Sequence, residues 1–383
     1  MPEIKNLKKA ARRASRAINK GESIVLYSDA DLDGTASLVI LEEAVKSLAG
    51  RIAACYFPDR ENEGYGLNEK ALDRLKRYAP GLLIISDSGI ANWHEVKTAQ
   101  ELGFEVIIID HHELLAKLPP TPFIVNPKQK DDSYRFKFFA ACGLCFKFAQ
   151  ALLGRKMSTA MRKSFLELAA LGTIADMMPE REENKEFIRE GLYSLQKSVR
   201  PGIAAFLKLF QGNSMSQRKF AQKIISVLQL SDFQGNLTES YLLLRCANQR
   251  EAEELAALLV AKNKQRREDI EGLIKQILER PSSASSFVFE ASREIPHLLT
   301  GNIASKICQK TKRATFITAV KDGLSRGSVR SPKQVNSVEA LKSCHHLLET
   351  YGGHPQAAGF SVATENINKF KQCLENYLAN GAA

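Results

Sequence analysis

Four short runs in the first third of the chain are apolar almost without interruption: Ser23–Tyr27, Ile52–Phe57, Leu82–Ile85 and Phe104–Ile109. Apolar residues at successive rather than alternate positions predict strands buried on both faces, as in a parallel sheet. Helical stretches separate these runs, and the strand–helix alternation continues to about Leu195. A mostly helical segment follows, ending in one long charged helix from Glu251 to Arg280. The stretch Pro281-Ser282-Ser283-Ala284-Ser285-Ser286 then reads as a linker or tight loop. Beyond it the pattern predicts strands near Phe287–Phe289, Ala314–Val320, Leu324–Arg330 and Ala358–Val362. Helices are expected from Ile303, through Leu341–Leu348 and from Asn366, with Tyr351-Gly352-Gly353-His354 as a glycine-rich turn before the last strand. The expected fold class is α/β: a parallel-sheet domain over residues 1–195, a helical connector over 196–280 and a smaller α/β domain over 281–383.

Ahead of the first strand, Leu7, Ala11, Ala14 and Ile18 share one helical face, with Lys8, Lys9, Arg12, Arg13 and Arg16 largely on the others. This predicts a surface helix packed on the first domain rather than a transit peptide or a nucleic-acid arm. The N-terminus lacks the apolar core of a signal peptide, and no run of 18 apolar residues exists to span a membrane. Seven scattered cysteines, an odd number, point to a reducing, cytoplasmic setting. Cys142-Gly143-Leu144-Cys145 lies in a predicted helix without a second pair to complete a zinc site, so buried thiols are expected there. Lysine plus arginine number 54 against 43 acids, a net charge of +11. A polyanionic partner follows from that excess, bound less tightly as salt rises.

The strand ends carry the chemistry. Ser23–Tyr27 runs into Ser28-Asp29-Ala30-Asp31-Leu32-Asp33-Gly34, Leu82–Ile85 into Ser86-Asp87-Ser88-Gly89, and Phe104–Ile109 into Asp110-His111-His112. Carboxyl ends of parallel strands are where α/β proteins place ligands. Carboxylates and imidazoles gathered there describe a site for hard divalent ions, with imidazole favouring Mn2+ over Mg2+. Two such ions clamp a phosphate and generate hydroxide from bound water. The apolar stretch Leu166–Ala175 ends in Asp176, which is either a helix-end residue or another ligand. Asp29 serves equally as the N-cap of the next helix. A calcium loop is excluded, because its closing glutamate is absent at the required offset.

These segments resemble the DHH phosphoesterase superfamily, and within it the RecJ-like single-strand exonucleases with a DHHA1 domain. The matching stretches are Asp29–Thr35, Ser86–Ile90, Asp110–His112 and Ala170–Asp176. Between them come Pro58-Asp59-Arg60 with Glu63–Leu67, and Val125–Lys128; Gly327–Ser331 and Gly352–Gly359 follow near the C-terminus. The resemblance implies one ion held by Asp31 and Asp87, helped by Asp29, and a second held by Asp33, Asp87, His111 and Asp176. It implies that Asp110 orients the imidazoles and that His112 faces the scissile phosphate as a donor or general acid. Arg60, Arg330, Gly352, Gly353 and His354 are implied to bind substrate, across a cleft between the two domains. The expected activity is two-metal hydrolysis of single-stranded nucleic acid from an end, DNA favoured, with replication or repair proteins as partners. An oligonucleotide or cyclic-dinucleotide phosphoesterase is the alternative, and a non-catalytic binding relative the alternative of another class. The family's Asn-Ala-Ala-Gly-Arg-like connector segment corresponds here to Ile224–Asp232, which lacks that Asn, Gly and Arg, and no OB-fold counterpart is expected.

Overall fold

In the computed structural model, residues 3–211, 215–229, 232–279 and 286–380 are described. They form two compact units, residues 1–263 and 264–383.

The first unit begins with α1 (Leu7–Asn19), then β1 (Ser23–Ser28), α2 (Leu32–Lys46), β2 (Ile52–Tyr56), α3 (Glu69–Leu75), β3 (Gly81–Ser86), α4 (Trp93–Glu101), β4 (Phe104–Ile109) and a short β5 (Ile124–Val125). The five strands lie in the order β2-β1-β3-β4-β5, and every pair is parallel. The continuous apolar runs have a simple cause. Ile24, Leu26, Leu82, Ile84, Ile107 and Ile109 pack on one face of the sheet, while Val25, Tyr27, Leu83, Ile85, Val106 and Ile108 pack on the other. With helices covering both faces, neither side chain orientation meets water, so no polar alternation is selected. Each such residue contributes about 1.5–3 kcal/mol by its removal from water.

Seven more helices, or parts of them, complete this unit: α5 (Ala141–Leu153), α6 (Thr159–Ala175), α7 (Glu182–Leu195), α8 (Pro201–Leu209), α9 (Gln217–Leu228), α10 (Glu239–Arg245) and the first half of α11 (Gln249–Glu279). A two-stranded ribbon, β6 (Phe233–Gln234) and β7 (Leu237–Thr238), sits between α9 and α10. Ile203, Phe206, Ile224, Tyr241 and Leu259 share one core with α1, α2 and α5. The expected apolar face of α1 is buried, but Arg13 departs from its expected place in solvent. It is 7% exposed and pairs with Glu22 and with Glu105 of β4. A helical-wheel reading assigns it to the polar side because it cannot see an acid on a neighbouring strand.

The second unit takes the rest of α11, then β8 (Phe287–Ser292), α12 (Thr300–Thr311), β9 (Ala314–Ala319), β10 (Leu324–Arg330), α13 (Ser337–Ser343), β11 (Leu348–His354), β12 (Ala357–Ala363) and α14 (Ile367–Asn380). Its strand order is β11-β12-β10-β9-β8, antiparallel except for the β8–β9 pair. Ile270, Ile274 and Ile277 of α11 pack with α12 in one core, and Phe370 and Leu374 of α14 pack with α13 in another.

Three expectations change here. The helix expected over Leu341–Leu348 ends at Ser343, and the glycine-rich segment is a strand rather than a turn. Gly352 pairs with Gly359 and Gly353 with Ala358, and the reversal falls at Pro355–Gln356. Two adjacent glycines signal a turn locally, yet cross-strand pairing with β12 decides the matter. The scattered cysteines also include a pair: Cys344, after α13, and Cys373, in α14, form a disulfide across 29 residues. The expected linker over Pro281–Ser286 lies, but for Ser286, outside the described residues. Cys142 and Cys145 are buried thiols in α5, as expected. No described helix is long and apolar enough to cross a membrane.

Candidate active site

The carboxyl ends of β1, β3 and β4 and the end of α6 converge on one cluster. Its centre is Nε2 of His111, which lies 3.4 Å from Asp87 Oδ1, 3.6 Å from Asp176 Oδ2 and 3.9 Å from Asp33 Oδ2. These gaps exceed a good hydrogen bond and leave the four groups facing a common space. Ligand atoms of Asp33, His111 and Asp176 fall within 4.8 Å of one another, as do those of Asp29, Asp31 and Asp87, and those of Asp87, His111 and His112. Asp87 therefore belongs to two adjoining groups.

Each carboxylate is placed by its element. Asp31 is the N-cap of α2 and accepts from Gly34 N at 3.0 Å. Asp33, two residues along, accepts from Ala141 N at 2.7 Å and Cys142 N at 2.9 Å. The N-cap of α5 is Ala140, which has no side chain to satisfy those amides, so Asp33 caps α5 from across the site. Gly34 must be glycine here, since a Cβ would stand 2.2 Å from the Asp29 carbonyl oxygen. Asp87 turns sharply out of β3 with φ +55°, a left-handed conformation uncommon outside glycine and adopted more readily by aspartate than by most other side chains. Such strain collects where a structure must aim a functional group.

Packing so many acids together perturbs them. Burial, then repulsion from Asp33 and Asp31, raises the Asp87 carboxyl well above its ordinary range. The same causes push Asp176 up to about 7. Burial lowers His111 and keeps its ring neutral. His112 behaves oppositely: burial lowers it, but the bond to Asp110 prevails and raises it.

Asp110 is fully buried and saturated. It accepts from the amides of Ile90, His111 and His112, and lies 2.7 Å from His112 Nδ1. It reaches the backbone of His111 but holds only the ring of His112. That leaves the ring edge of His112 toward solvent, its side chain 43% exposed.

Arg60 lies in the cluster. Its Nε donates to Asp29 Oδ1 at 2.7 Å and its Nη2 to Asp31 Oδ2 at 3.0 Å. A guanidinium thus occupies the cationic position that Asp29 and Asp31 create. Tyr65, which the sequence marks only as part of a matching stretch, belongs to the site. Its hydroxyl lies 3.1 Å from His112 Nε2 and 3.3 Å from the Asp87 carbonyl oxygen. The available signal was its position five residues after Arg60; nothing in local periodicity marks it.

Two observations test whether divalent ions suit this cluster. Oδ2 of Asp176, which faces Nε2 of His111, is buried without a hydrogen-bond partner, although buried polar atoms are ordinarily satisfied. A carboxylate-rich donor set with one imidazole also matches Mn2+ or Mg2+ in kind. The residues fit.

The remaining expected residues are in the second unit. Arg330 ends β10 and His354 ends β11, and each pairs with Ala357 of β12 from opposite sides. The register therefore brings them to the same end of one sheet, two strands apart, with Gly352 and Gly353 exposed beside His354. Arg330 is half-buried over the start of α12, where a Cβ on Gly301 would meet its Nη2 at 3.0 Å.

Residues 23–173 match the DHH family N-terminal domain, and residues 285–380 match the DHHA1 domain. The chain carries a DHH domain followed by a DHHA1 domain. It is 33% identical to the single-stranded-DNA-specific exonuclease RecJ of Bacillus subtilis, over 99% of its own length and 48% of the relative's. The RecJ of Thermus thermophilus is 29% identical, over 98% of the chain and 55% of the relative. The chain thus spans about half the length of these curated relatives. Among solved structures, exonuclease RecJ bound to manganese superposes with a TM-score of 0.82 at 28% identity, covering 98% of the chain and 95% of that structure. RecJ of Thermus thermophilus in complex with Mn2+ gives 0.80 at 27% identity, covering 98% and 55%.

Proposed function

We propose that this protein is a metal-dependent phosphodiesterase that removes nucleotides from an end of single-stranded DNA. The observation that carries the proposal is His111 Nε2 facing three carboxylates at 3.4–3.9 Å, on the strand ends of a DHH domain. The similarity to RecJ exonucleases, two of whose solved structures hold manganese, supports the substrate and the metal.

In this reading Asp31 and Asp87, with Asp29, would hold one ion, and Asp33, Asp87, His111 and Asp176 would hold the second. Bound divalent ions lower the pKa of water and neutralise phosphate charge. The chain's own groups supply the rest. Asp110 fixes the ring of His112 through Nδ1, so that Nε2 is the atom available to donate a proton to a phosphate or leaving oxygen. The Tyr65 hydroxyl lies between that same nitrogen and the Asp87 carbonyl oxygen, so a substrate oxygen that accepts from Nε2 would take the place of Tyr65. Arg60, paired with Asp29 and Asp31, would have to release them as the first ion binds before its planar fork could meet a phosphate. Arg330 and His354, at one end of the sheet of the second unit, are read as phosphate-binding groups.

End-labelled DNA and RNA strands of several lengths, incubated with Mn2+ or Mg2+, test this directly. The expected result is stepwise shortening of single-stranded DNA from one end and little cleavage of duplex. Products confined to dinucleotide substrates would move the assignment to a small-oligonucleotide phosphoesterase.

A further inference from the structure

The exposed face of α1 has no role in the site described above. Lys8, Arg12, Arg16 and Lys20 stand at strict four-residue intervals and are all exposed, as is Lys9 beside the first of them. No acid occurs anywhere from Leu7 to Asn19. Among the described residues Lys8 pairs with Glu3, whereas Arg12, Arg16 and Lys20 have no acid within ion-pair distance. Like charges four residues apart destabilise a helix by about 0.2–0.5 kcal/mol per pair. Lys8 and Lys9 also oppose the helix dipole in the first turn. The arrangement is therefore unfavourable in isolation, and an anion repeating at the same interval relieves it.

The interval identifies the anion. Four residues of helix rise about 6 Å, comparable to the span of one nucleotide in an extended single strand. The ladder also starts at the relevant end of the sheet. Asn6 donates to the carbonyl of Ile124 in β5, whereas Arg13 reaches Glu105 at the start of β4, so α1 runs antiparallel to β4. Its N-terminus is level with the strand ends that carry the acids, and the cations lead away from them for about 18 Å. An anionic membrane is a poor fit, because the apolar face of α1 is already buried in the core and nothing remains to insert.

We propose that α1 carries an exosite that tracks the phosphates of single-stranded nucleic acid outside the catalytic cluster. The identity of the polymer rests on the proposed function; the polyanion ladder rests on α1 alone. The test is the combined variant Lys8→Gln, Arg12→Gln, Arg16→Gln and Lys20→Gln, titrated in EDTA with a labelled strand longer than the helix. The slope of log affinity against log salt is expected to fall in magnitude by up to about 2.8, that is 0.7 for each of four phosphates. Hydrolysis of a dinucleotide with Mn2+ should be unchanged, and Tm unchanged or higher. The double variant Lys8→Gln, Arg12→Gln, with an expected change of about 1.4, reads the same quantity if the larger set perturbs folding. An unchanged slope overturns the exosite. Equal loss of binding to poly-glutamate overturns its assignment to nucleic acid. If the unaltered protein fails to hydrolyse any strand, the proposed function falls while the slope still decides the ladder.

Discussion

Asp176 is the residue whose environment makes the sharpest statement about pH. Its carboxyl titrates at about 7, because burial and the neighbouring Asp33 and Asp31 disfavour its charge. Without metal the native state therefore holds a proton that the unfolded chain releases near the ordinary carboxylate range. Metal-free stability must fall as pH rises from about 4 to 7. Asp176→Asn removes that charge, so in EDTA its Tm should exceed the native value at pH 8 and match it at pH 5. Mn2+ affinity of the native protein should weaken as pH falls below 7, since binding must displace the proton. Calorimetric titration at several pH values checks the latter, and thermal melts the former; a pH-independent affinity would show that Asp176 is no ligand. In the second unit, Arg330→Ala and His354→Ala should raise KM more than they lower kcat, as expected of contacts equal in ground and transition states. A loss of kcat at constant KM would place either residue in the chemistry.

Among elements, the contact between α5 and α6 decides where Asp33 points. A Cβ on Gly172 of α6 would meet Cys142 Sγ at 2.5 Å and Asp33 Oδ1 at 2.9 Å. Gly172→Ala should therefore displace Asp33 and cost about 1–3 kcal/mol of stability by overpacking. Its Mn2+ affinity should fall beyond what global destabilisation explains, measured by titration well below Tm; native affinity would mean that α6 yields instead. This dependence was invisible in the sequence, where Gly172 is one letter in an apolar helix. What the sequence did expose were elements with strong internal signals. The strands of the first sheet announce themselves because both faces are buried, and α11 because its length and charge admit no other reading. The β11 strand failed because its glycines imitate a turn, and the placement of Arg13 failed because its partner Glu105 is 92 residues away. The convergence of the strand-end acids and histidines was legible, because parallel strands bring their carboxyl ends together, and Asp176 was open between helix end and ligand. The engagement of Tyr65 with His112 and of Arg60 with Asp29 and Asp31 required the fold.

At the scale of the whole molecule, the net charge of +11 coexists with a cluster of acids at the strand ends. The basic excess therefore lies elsewhere on the surface, and single-strand affinity should fall with salt more steeply as the strand lengthens, by about 0.7 in log–log slope per phosphate engaged. A slope that stops growing beyond two or three nucleotides would leave only the active site as the binding surface. If Asp87 is the carboxylate shared by two ions in the proposed single-strand hydrolysis, its loss deprives both of a ligand. The measurement is the rate of Mn2+-dependent single-strand hydrolysis by Asp87→Ala, alongside a circular dichroism spectrum showing the fold retained. Hydrolysis is expected to be abolished in a folded protein; near-native hydrolysis by Asp87→Ala with Mn2+ would rule the shared carboxylate out.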